Sequence, residues 1–84
     1  MFQPIFEGEN FSYYFDDETE EYLLLENKNN SHILLKGDDA FMFREHLELI
    51  MINQDNTIKQ RIEKAIKIHY NFNTKPCPIP KFIE

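Results

Sequence analysis

The side chains of this 84-residue chain best suited to covalent or metal chemistry are His32, His46, His69 and the single thiol, Cys77. An activated nucleophile needs a base within hydrogen-bond reach and a further group to orient that base. The imidazoles are widely separated in sequence and Cys77 lies in a proline-rich stretch, so no nucleophile motif is formed, nor the close ligand pairs of a structural zinc site. Gly8 and Gly37 are the only glycines, which excludes a glycine-rich phosphate cradle. The chain is expected to be non-catalytic, with no cofactor and no metal. His69 is expected to pack on a helical stripe and His46 to sit at the edge of another helix.

Carboxylates form the second group. Asp16, Asp17, Glu18, Glu20 and Glu21 fall in one short stretch. Oxygen ligands at this density suit a hard cation, but the glycine and the distant bidentate Glu of a calcium loop are missing, and the stretch reads as a solvated turn. The wider charge pattern is more informative. Residues 1–56 carry thirteen acids against Lys28, Lys36 and Arg44, a balance of −10, while residues 57–84 carry six bases against Glu63 and Glu84, a balance of +4. Segregation of this kind steers partners of opposite sign before contact. The five acids of the turn are therefore candidates for binding a protein with a basic surface, as carboxylates can take the place of phosphates on such a surface.

These groups must be positioned by an α+β fold, since a β-rich first half precedes a helical second half. Residues 1–84 read as a single domain, with a possible edge strand in 1–10, a β-meander over 11–36, a helical part over 38–72 and a proline-rich extended tail over 73–84. Phe11, Tyr13 and Phe15 alternate with Ser12 and Tyr14, as in a half-buried strand. Tyr22-Leu23-Leu24-Leu25 and Ile33-Leu34-Leu35 supply two more strands, and Pro4 argues that Gln3 to Glu7 takes an edge. The meander is thus three- or four-stranded and antiparallel, with one or two amphipathic helices packed on it.

Gly37 marks the passage from strand to helix, with Asp38 or Asp39 expected as N-cap of a helix running to about Ile52. Ala40, Phe43, Leu47, Ile50 and Met51 share one face of it and Met42, His46 and Leu49 an adjoining one. So wide an apolar arc predicts a contact beyond the sheet: a second helix, the tail, another molecule or a homodimer seam. Thr57 to Gln60 has capping-box spacing, and Ile58, Ile62, Ala65, Ile66, His69 and Phe72 form a stripe on a second helix. One helix over 39–70 would be about 48 Å long, too long for so small a domain, so a break near Asn53 to Asn56 is expected.

Lys59, Arg61, Lys64 and Lys67 make a basic surface on the second helix, the alternative site for a nucleic acid. The order Tyr14-Phe15-Asp16, Tyr22 to Glu26, Ile33-Leu34-Leu35 and Ala40-x-x-Phe43-Arg44-x-x-Leu47 resembles a repeat of the PUR single-strand nucleic-acid-binding family. The resemblance covers less than half the chain and lacks that family's glycine and basic residues on the strands, so no residue role is carried over. It implies single-strand binding through the meander and the basic helix as the second reading. With a net charge of −6, the first reading is a small acidic protein-binding module, an inhibitor, adaptor or regulator. A short, acidic, cysteine-poor chain would suit a phage or mobile element. A lone cysteine, no apolar span and no leader-like start make a cytoplasmic, non-membrane protein the expectation.

Overall fold

The computed structural model describes residues 1–52, 58–72 and 77–78. Five strands form one antiparallel sheet in sequence order: β1 (Gln3–Glu7), β2 (Phe11–Asp16), β3 (Glu21–Glu26), β4 (Ser31–Leu35) and β5 (Cys77–Pro78). Two helices, α1 (Asp38–Ile52) and α2 (Ile58–Phe72), lie between β4 and β5 in the chain. The expected α+β arrangement of a meander followed by helices is the observed one, with β1 as the fourth meander strand. The ladder breaks register between Pro4 and Phe6, where proline cannot donate to its neighbour. Cys77 and Pro78 pair with His32 and Ser31, so the proline-rich segment adds two residues to the far edge. Ile79, Phe82 and Ile83 of the proline-rich tail lie outside the described residues, as do Asn53 to Thr57.

The β2–β3 and β3–β4 turns each place one residue in the left-handed region, Glu20 at φ 56° and Asn30 at φ 48°. Asparagine tolerates that conformation well; glutamate does so at a cost of about 1–2 kcal/mol. Gly37, at φ 56°, precedes α1, and its carbonyl accepts the first helical bond from the Phe41 amide at 3.0 Å. Gly37 is thus the N-cap instead of either aspartate. Asp38 and Asp39 occupy the first turn, where their charge complements the helix dipole.

Alternation along β2 and β3 sends Tyr13, Tyr22 and Leu24 to the helix face, where they meet Ile33 and Leu35 of β4. From the helices come Ala40, Phe43 and Leu47, and Ile62, Ile66 and Tyr70. Phe43 is fully buried at the centre, with the rings of Tyr13, Tyr22 and His69 at centroid distances of 5.4, 5.0 and 5.1 Å. The other sheet face is apolar too: Leu23 and Leu25 are buried there, in rows with Tyr14 and Leu34 and with Ser12 and His32. The α2 stripe is confirmed at Ile62, Ala65 and Ile66 but turns at its end. Tyr70 is buried and shares a hydrogen bond with the Ser31 hydroxyl, while Phe72 is 81% exposed.

Candidate protein-docking face

The acidic turn divides into buried and presented carboxylates. Asp16 is buried at the end of β2, where Oδ1 accepts the Glu18 amide at 2.9 Å and Oδ2 lies 3.2 Å from the Met1 ammonium. Burial by itself raises the Asp16 carboxyl, but the Glu18 and Thr19 amides and the ammonium together hold it below the usual range. Glu21 is half-buried and reaches Lys36 at 3.7 Å. Asp17, Glu18 and Glu20 remain exposed. Of the five acids singled out from sequence, these three are presented to solvent, while Asp16 and Glu21 also brace the turn.

The turn adjoins α1. A recess of about 150 Å³ between them is lined by Phe15, Glu20, Phe41 and Arg44 among others. Helical geometry then places Phe41, Met42 and Leu49 on the outward side of α1, exposed by 61, 62 and 66%, interspersed with exposed Asp38, Glu45 and Glu48. Arg44 approaches Glu48 at 3.8 Å, a surface pair worth little in water. Phe41 was not singled out from sequence. Its signal was an aromatic residue lying off the buried stripe of its own helix.

On its other flank α1 meets α2. Met42, His46 and Asp39 face Ile68, His69 and Phe72 across a groove of about 470 Å³. The structure therefore brings Met42 and His46 of the expected apolar flank together with α2, and leaves Leu49 exposed beside them. His46 Nδ1 stands 3.3 Å from His69 Nε2. Burial first, and then the neighbouring His46, hold His69 below its ordinary range, with Asp39 opposing. The folded state thus favours neutral His69. Its contribution to stability is whole above the unfolded value of about 6.5 and is lost as pH falls through the lower folded value. Asp16, depressed in the folded state, contributes in the opposite sense of charge and is lost further into acid. Urea midpoints are expected to fall in two stages from pH 7.5 downward. The His69→Gln variant should lack the first stage.

The basic residues of α2 are split. Lys64 and Lys67 join Lys28, Phe11, Asn10 and Gln60 around an open cleft of about 450 Å³, together with Glu26 and Glu63. Glu63 is engaged by Asn10, whose backbone and side-chain nitrogens donate to its two oxygens at 3.1 and 3.3 Å. Lys59 and Arg61 do not line this cleft. Lys59, Lys64 and Lys67 form no ion pair among the described residues.

No group of three or more His, Cys, Asp and Glu side chains among the described residues is arranged to hold a metal ion. No described helix is long and apolar enough to cross a membrane. Comparison with protein-family models, with curated proteins and with solved structures finds no match to this chain.

Proposed function

We propose that this protein is a non-catalytic binding module, an inhibitor, adaptor or regulator, that docks a basic, amphipathic surface of another protein onto the outward face of α1 and the tip of the acidic turn. One observation carries the reading: Phe41, Met42 and Leu49 are exposed along α1 among Asp38, Glu45 and Glu48, and Phe41 shares a recess with Glu20 of the acidic turn. Exposed aromatic and methionine side chains supply the desolvated centre of an interface, and the surrounding carboxylates supply steering and register. The net charge of −6 extends the attraction, which weakens as salt shortens the Debye length.

Affinity capture from lysate of the source cells tests this with three forms of the protein. The wild type is expected to retain a basic protein that elutes with salt. The Phe41→Ser/Leu49→Ser form should lose it, because removing central anchors costs about 2 kcal/mol or more. Neutralising Asp17, Glu18, Glu20, Glu45 and Glu48 to Asn or Gln should chiefly slow association. Equal recovery by all three rejects the proposal.

The cleft of Lys28, Lys64 and Lys67 over Phe11 favours a second reading, single-stranded nucleic acid bound by phosphate contacts and stacking. Glu26 and Glu63 on the same walls weigh against it. Salt-sensitive micromolar binding of a labelled oligonucleotide, abolished by Lys64→Glu/Lys67→Glu and indifferent to Phe41→Ser, would favour this reading over the first.

A further inference from the structure

We infer that His46 and His69 form a two-imidazole site for a divalent transition-metal ion of the zinc, nickel and copper class, in the groove that Met42 of the docking face also lines. Two imidazole nitrogens bound to a tetrahedral zinc, each about 2.0–2.1 Å from it, stand about 3.3–3.4 Å apart. The facing nitrogens, His46 Nδ1 and His69 Nε2, are 3.3 Å apart. The same spacing makes only a long hydrogen bond, and that bond requires one of the two lone pairs to be replaced by a proton. A metal ion between them uses both lone pairs, with each ring carrying its proton on the outward nitrogen.

The pair is held in place before any ion arrives. His69 is half-buried, its ring packed edge-on against Phe43 at 5.1 Å, so the core of the domain sets its orientation. His46 is half-buried on the facing helix. Both open onto the groove between α1 and α2, where Asp39 adds a negative charge opposite the incoming cation. Metal ligation needs neutral imidazole, so binding competes with protonation of both rings. Two protein ligands leave the remaining positions to water or to a donor from outside, so the site is exchangeable and weaker than a structural zinc centre. Preference follows the usual order for nitrogen sites, with copper above nickel and zinc. Because the ligands sit on different helices, binding ties α1 to α2 and stabilises the fold by mass action.

Titration calorimetry of the full chain with zinc chloride, and separately with nickel and copper salts, in a non-chelating buffer at pH 7.5 tests the site. One ion per chain is expected, with the His46 and His69 ring resonances perturbed and those of His32 unmoved. His46→Gln, at a half-exposed position that should not disturb folding, is expected to weaken binding at least tenfold. His69→Gln should do the same wherever its circular dichroism shows the native fold. Binding should also weaken as pH is lowered to 5.5. The absence of saturable binding overturns the proposal, and so does wild-type affinity in His46→Gln.

Discussion

Replacement of Phe43 by alanine is expected to remove most of the stability of this domain. The side chain is fully buried, and three rings rest on it, from β2, β3 and α2. Phe43 thus touches all three of these elements at once. Truncation of a buried phenylalanine costs about 3–5 kcal/mol, because lost transfer energy adds to a cavity that rigid neighbours cannot close. Tyr13 and Tyr22 are also buried and packed against each other at 6.0 Å, which limits how far they can collapse inward. A folded chain of 84 residues has a total stability of about 4–13 kcal/mol, and small folds fall at the low end. Urea unfolding followed by far-ultraviolet circular dichroism should place Phe43→Ala close to or past its midpoint in buffer. Phe43→Leu, which keeps most of the volume, should lose less than about 1.5 kcal/mol. A loss below 1 kcal/mol in the alanine variant would show that the aromatic cluster does not organise the core.

The same cluster shows how much of the molecule was legible in the chain. Period-two alternation at Phe11, Tyr13 and Phe15 named the core face of β2, and the unbroken run from Tyr22 to Leu25 reflects a central strand buried on both faces. Ala40, Phe43 and Leu47 follow from helical spacing alone. Errors arose where a side chain has two characters or where the partner is distant. Tyr70 buries its ring and satisfies its hydroxyl on Ser31, so it serves as core despite a polar tip. Phe72 has the spacing of the stripe but is the last residue of α2 and remains outside the core.

The candidate site was legible to a different degree. Acidity and exposure at Asp17, Glu18 and Glu20 could be read directly, whereas the inward turn of Asp16 depends on amides that exist only once the hairpin has closed. The excess width of the apolar arc on α1 predicts a contact beyond the sheet; Met42 and His46 line a groove with Ile68, His69 and Phe72 of α2, and Met42 is still 62% exposed there. The pairing of His46 with His69 spans 23 residues and is set by where the helices meet, which no local spacing encodes.

Gly8 gives the second large effect, and its neighbours determine how large. A Cβ built on Gly8 would come within 2.1 Å of Glu63 Oε1, 2.7 Å of the Phe11 carbonyl oxygen and 2.8 Å of Phe6 Cε2. The Gly8 amide donates to that same Phe11 carbonyl at 2.9 Å, closing the β1–β2 turn, and the Gly8 carbonyl accepts from the Asn27 side chain at 2.9 Å. The turn is therefore fastened on two sides and cannot slide away from an added methyl group. Glu63 can swing aside, but only by releasing Asn10, which joins α2 to the turn. Overpacking of this kind costs about 1–3 kcal/mol, and Gly8→Ala should fall in the upper half of that range. Glu63→Ala alone should cost about 1 kcal/mol through the lost Asn10 bonds. In the double variant the two costs should be less than additive, since the clash with the carboxylate disappears. They should not cancel, because the Phe11 carbonyl belongs to the backbone and cannot rotate away. Full rescue of Gly8→Ala by Glu63→Ala in urea unfolding would place the whole constraint in the side chain; a residual loss near 1 kcal/mol assigns the remainder to the close approach of the turn to its own backbone.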